Sequence, residues 1–233
     1  MLFRSGTVNV AGINSLLESN SSLYVGSYGT GTLNISDGAQ AKANGTTGGV
    51  RIGYNAGSTG TVAVAGTNSG INSLLESDSS LSVGNSGTGT LSISGGAQAK
   101  AKANGSTGAN QGVLIGYNAG STGTVTVDGT NSLLESDGVI TVGNSGTGTL
   151  SISDGAQAKT NGTTGSSHGV RIGNGAGGTG TVTVDGVGSL LESAAQIYVG
   201  NVGTGKLFVD NGGVVSSTGT GTTNGSIDRK SVV

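Results

Sequence analysis

Asp128 and Asp185 close two copies of one phrase, TVTVDG, 57 residues apart. Two carboxylates at a fixed separation are the machinery of glycoside hydrolysis, where an inverting pair stands about 6.5–9.5 Å apart. If copies of the phrase stack two layers apart at β-strand spacing, these carboxylates lie about 9–10 Å apart. Asp-Gly is equally a turn dipeptide, and Asp37, Asp154 and Asp210 occupy comparable turns, so the pair reads as turn chemistry. His168, the single histidine, stands in TNGTTGSSHGV beside Ser166 and Ser167, with Asp154 nominally nearby. A nucleophilic triad needs those residue types in contact, whereas a loop of variable length accepts any polar residue. No catalytic residue is assigned. With no Cys and one His, no metal site and no cofactor are expected either.

The remaining side chains with distinctive chemistry are Tyr24, Arg51, Arg171 and Tyr198, each in the middle of an L-x-V-G or V-x-I-G phrase. If the phrases stack, Tyr24 meets Arg51 and Arg171 meets Tyr198, as cation–π pairs. The same column holds Ser82, Leu114 and Thr141, all expected to point outward. Tyr and Arg are enriched where binding energy concentrates. These four are the candidate binding residues.

What must position them is a repeat. L-x-V-G returns at Leu23, Leu81, Ile140 and Ile197, spaced 58, 59 and 57 residues apart. V-x-I-G at Val50, Val113 and Val170 divides each period into halves of 27 to 32 residues. Repeats of this size belong to stacked, quasi-one-dimensional folds. Each half carries three short strand candidates between Gly-rich bends: LYVG, GTLNIS and GAQAKA in one, VRIG, GTVAV and SLLES in the other. Alternation sends Leu33 and Ile35, or Leu91 and Ile93, inward and the intervening Thr, Ser and Asn outward. The fold class expected is all-β: a parallel β-helix, or β-solenoid. It has about three strands per coil and six complete coils plus partial end coils.

Two further columns follow from that stacking. Glu18, Lys42, Glu76, Lys100 with Lys102, Glu135, Lys159 and Glu192 alternate in sign along the third face, which reads as a register device. Thr7, Thr32, Thr61, Thr90, Thr124, Thr149 and Thr181 form a ladder on the second face, ended by Lys206. Its companion column, Asn9 to Thr183, is mixed, so no ice-binding Thr-x-Thr array is expected and β-propensity accounts for the threonines.

At this point the residues resemble a family. VGxxGTGTLxISxGA alternating with IGxxAGSTGTVxVxGxxSLLES is similar to the passenger-domain repeat of autotransporters (type V secretion), of the kind shared with PEP-CTERM-associated surface proteins. The match covers nearly all of residues 6–215. The resemblance implies a right-handed parallel β-helix on the surface of a Gram-negative bacterium, or released outside the cell. Export through a C-terminal outer-membrane barrel elsewhere in the protein goes with it, and the absence of Cys suits passage as an unfolded chain. The implied role is a non-enzymatic stalk or adhesin whose partners are glycans or proteins of host or neighbouring cells. The alternative is a β-helical carbohydrate-active enzyme, or a scaffold for a catalytic domain outside the fragment.

Composition agrees. Of 233 residues 49 are Gly, none is Pro, and 9% are charged, for a net charge of −2. No apolar run is long enough for a transmembrane helix, so this segment itself is expected to make no membrane contact. Ten scattered Lys and Arg give no footprint for nucleic acid. The ends read differently. Leu2–Ser5 and Asp228–Val233 translate the two strands of a common short-read sequencing adapter. Residues 1–5 and 228–233 are therefore expected to be artefacts, residues 6–217 the β-helix, and residues 218–227 a Gly/Thr-rich tail of an internal fragment.

Overall fold

In the phrase T-G-T-L-x-I-S every second side chain is apolar, and a strand sends alternate side chains to opposite faces. The computed structural model, which describes residues 1–104, 111–162, 169–218 and 227–229, places these phrases as seven-residue strands from Thr30–Ser36 to Thr179–Asp185. Each pairs in parallel with its counterparts on the coils before and after, without a slip in register. Leu33, Ile35, Val62, Val64, Leu91, Ile93, Val125, Val127, Leu150, Ile152, Val182 and Val184 are all fully buried. The two inward columns are as the alternation predicts.

Among the described residues, three parallel sheets carry the fold, of nine, eight and eight strands, and the chain visits them in turn. The first face runs from Leu2–Phe3 through Leu23–Val25 to Ile197–Val199 and Ile227–Arg229. The second runs from Gly6–Ala11 to Thr204–Asp210, and the third from Leu16–Ser19 to Val214–Ser217. This is a parallel β-helix with no α-helix among the described residues. Between Leu23 and Ile197 the chain makes six coils, and further strands continue the stack on both sides where the repeat predicts the end coils.

The third face explains why the sequence repeats over two coils rather than one. Its inward column reads Leu17, Ala41, Leu75, Ala99, Leu134, Ala158, Leu191. Leu75, Leu134 and Leu191 are fully buried, as are Ala41, Ala99 and Ala158. A leucine on one coil extends over the small residue of its neighbours, which keeps the interior close-packed. Two large residues in succession would overfill that column, and two small ones would leave a void.

Two glycines lock successive coils together. Gly26 follows the first-face strand with φ 67°, and a Cβ there would meet the Thr59 carbonyl oxygen of the next coil at 2.0 Å. Gly60, inside Thr-Gly-Thr, faces back: a Cβ would stand 2.2 Å from the Val25 oxygen. The two positions recur from coil to coil, in V-G-x-x-G-T-G-T and in I-G-x-x-A-G-x-T-G-T alike. At the corners, both serines of S-L-L-E-S turn inward. Ser73 donates to the Ala65 carbonyl at 2.8 Å and accepts from the Gly38 amide at 3.0 Å. Ser77 donates to the Ser80 carbonyl at 2.9 Å.

One element has no precursor in the repeat: an antiparallel hairpin, Thr67–Asn68 against Ile71–Asn72, standing between the second and third faces.

Candidate functional site

Tyr24 and Arg51 are direct neighbours across the first face. The Arg51 guanidinium carbon lies 5.9 Å from the Tyr24 ring centroid and 4.8 Å from that of Tyr54. The two rings meet edge to face, with centroids 4.9 Å apart. Arg51 Nε also donates to the Gly48 carbonyl at 3.2 Å, which fixes the plane of the guanidinium. All three side chains are half-buried. The result is a cation lying over two aromatic rings at the surface, an arrangement suited to planar or ring-shaped partners. Tyr54 belongs to this cluster although it lies in a bend, outside the periodic strand positions. Its only signal in the sequence is that Tyr117 fills the same place, G-Y-N, two coils later.

The second expected pair is differently built. Arg171 and Tyr198 are also register neighbours, but Arg171 is only 9% exposed. Burial lowers its pKa from the usual arginine value, with the Tyr198 phenol acting in the opposite direction; the group stays charged at neutral pH. Tyr198 is half-buried and its hydroxyl donates to Gln196 Oε1. Between the two pairs the column does not form the outward surface expected of it. Ser82, Leu114 and Thr141 are 3%, 5% and 2% exposed. The first face therefore presents one aromatic–cation cluster near Tyr24 and a covered arginine at the far end.

Asp128 and Asp185 stand two rungs apart with Ser153 between them. Ser153 Oγ donates to Asp128 Oδ1 at 2.7 Å, and Asn211 Nδ2 donates to Asp185 Oδ1 at 2.6 Å. Each carboxylate is thus tied to a polar side chain of the neighbouring coil. Asp37 and Asp154 occupy left-handed turn positions, with φ 57° and 53°; at the last such corner the residue is Asn211, φ 50°, rather than Asp210. His168, Ser166 and Ser167 lie outside the described residues. Among the described residues no group of three or more His, Asp or Glu gathers as metal ligands would.

On the third face, Glu18, Lys42, Glu76, Lys100, Glu135, Lys159 and Glu192 follow one another in register. Lys100 reaches Glu135 at 3.0 Å and Lys159 reaches Glu192 at 3.5 Å. Lys102 bridges Glu76 at 2.9 Å and Asp78 at 3.2 Å. Burial pushes the Glu135 carboxyl up, but hydrogen bonds from Asn161 and Lys100, with the charges of Lys100 and Lys159, hold it below its usual value. Such partly exposed pairs each stabilise by about 0–1 kcal/mol. Along this column like charges never stand on adjacent coils.

The Thr ladder is also in register, but the expectation that no double Thr column forms is overturned. The Asn9 column is mixed, as read. On the opposite side Thr30, Thr59, Thr88, Thr122, Thr147, Thr179 and Thr204 stack directly on one another. The glycine between the columns points inward, so Thr-Gly-Thr sets both hydroxyls on the outer surface.

Against known proteins, no family model, no curated protein and no solved structure matches this chain.

Proposed function

We propose that this chain is a segment of a bacterial surface or secreted protein of the autotransporter passenger kind, acting as a non-enzymatic β-helical stalk with adhesive capacity. The observation that carries the adhesive reading is the Tyr24–Arg51–Tyr54 cluster, where an ordered guanidinium touches two rings. An ordered cation and two half-buried aromatics lose little conformational freedom when a partner arrives, and that lowers the cost of binding. The regular coils supply length and hold the cluster away from whatever anchors the protein. Export to the cell surface of a Gram-negative organism, with glycans or proteins of other cells as partners, completes the reading. Its support is the resemblance of the repeat phrases. In cells displaying the protein, replacing Tyr24, Arg51 and Tyr54 together with Ser should reduce adherent cells several-fold, whereas Arg171→Ser should do less. Adhesion unchanged by the triple replacement would remove the cluster from the account.

One observation favours a second reading, an ice-binding surface. Over six coils, from Thr30 and Thr32 to Thr179 and Thr181, both Thr columns are unbroken. The hydroxyls form a lattice of about 4.8 Å by about 6.6 Å, regular enough to order water in a plane. On this reading the chain inhibits ice recrystallisation, and Thr122→Lys with Thr149→Lys abolishes the effect. No inhibition by the unmodified chain eliminates it.

A further inference from the structure

Two departures from the repeat fall side by side. The first is an insertion. Without Ser69–Asn72 the chain would read Gly-Thr-Asn-Ser-Leu-Leu-Glu-Ser from Gly66 to Ser77, letter for letter the corner Gly129–Ser136. Those four residues instead make the hairpin, whose tip, Ser69 and Gly70, has φ 51° and 79°, the twist that suits a two-residue hairpin turn. The second departure is a loss. Where equivalent corners carry Asp37-Gly38 and Asp154-Gly155, the coil after the hairpin carries Gly95-Gly96, so no side chain stands there.

Together they open a cleft of about 490 Å³. The hairpin leans toward the preceding coils, with Ile71 over Gly38 and beside Ile13. Thr67 and Asn72 of the hairpin face Thr130 and Asn131 of the corner beyond, and Gln98 and Gln157 enter from the third face. Leu133 separates the two glutamines in the sheet and gives the floor one apolar strip. Among the described residues, none of those six polar side chains spends its hydrogen-bonding groups on the protein. The lining holds no charged residue. Two positions beyond Leu133 on the same strand, Glu135 is taken up by Lys100, and on the strand that follows the hairpin Glu76 is taken up by Lys102.

We propose that this cleft binds a neutral saccharide. Side-chain amides present a donor and an acceptor together, matching hydroxyl pairs that both give and accept. The amides of Gln98 and Gln157 stand two rungs apart, about 9–10 Å, so a chain of two or more sugar units can meet both. Nothing in the lining compensates a phosphate, carboxylate or ammonium group, whose desolvation without a partner is costly. The proposal deepens the adhesive reading by naming a ligand class, but the cleft lies apart from the first-face cluster and the two can fail separately.

The test is calorimetric titration of the whole chain with maltotetraose, cellotetraose and mannotetraose, with tetragalacturonate as the charged counterpart. At least one neutral tetrasaccharide should bind and the charged one should not. Gln98→Ala and Gln157→Ala should each weaken binding about tenfold. Deleting Ser69–Asn72 should abolish it while the melting temperature holds, because the deletion restores a corner this chain already folds at Gly129–Ser136. No binding by any neutral tetrasaccharide at millimolar concentration would overturn the proposal, as would affinity unchanged by the deletion. Binding lost only when Tyr24, Arg51 and Tyr54 are replaced would overturn it too, and would assign the sugar to the first face. Adhesion lost in that triple variant without saccharide binding to the cleft would leave the adhesive reading standing alone.

Discussion

Ser189 is fully buried at the corner before the third face. Its Oγ donates to the Asp185 carbonyl at 2.6 Å and accepts from the Gly155 amide of the preceding coil at 3.1 Å. One hydroxyl thus satisfies two backbone groups and ties two coils. Ser189→Ala leaves that donor and acceptor without partners inside the fold, at a cost of about 1–3 kcal/mol. Thr181→Ala, on the outer surface of the same coil, should change stability by less than about 0.5 kcal/mol. For a chain of this size each kcal/mol corresponds to about 2–4 °C in melting temperature, so thermal unfolding separates the two variants. Equal melting temperatures would show that the corner hydroxyl carries no such role. The role of the serines of S-L-L-E-S is not legible in the sequence, because a hydroxyl at a corner looks the same whether it faces water or a backbone amide.

Among the elements, the second-face strands were the most legible. Thr-Gly-Thr-Leu-x-Ile alternates strictly, and one buried face leaves no freedom of register. The third face was legible in its charges, since Glu and Lys alternate from coil to coil. The physical reason for the double period emerged only with the packing: Leu75 extends over Ala41 and Ala99, a relation between strands far apart in sequence. The candidate site was half legible. Tyr24 and Arg51 occupy periodic positions and were readable as neighbours; Tyr54 sits in a bend, where no periodicity indicates direction. The expected exposure of the Arg171 column failed because alternation says which way a side chain leaves the sheet, and says nothing of what lies over it. The hairpin cleft went unread for a similar reason: an insertion of four residues looks like loop variation until its partner strand is known.

At the scale of the whole molecule, successive second-face strands stack with no change of register from the first coil to the last, which requires a constant rise per coil. The chain has no native Cys, so pairs of introduced cysteines carry spin labels at chosen sites alone. Thr32, Thr124, Thr149 and Thr181 lie in a single outward column, and labels there should leave the interior undisturbed. With one label at Thr32, pulsed dipolar spectroscopy should give separations that grow by about 4.8 Å for each coil crossed. The values expected are about 14 Å to Thr124, about 19 Å to Thr149 and about 24 Å to Thr181. Separations that fail to rise in equal steps, or that follow the number of residues between the labels rather than the number of coils, would contradict the stacked helix.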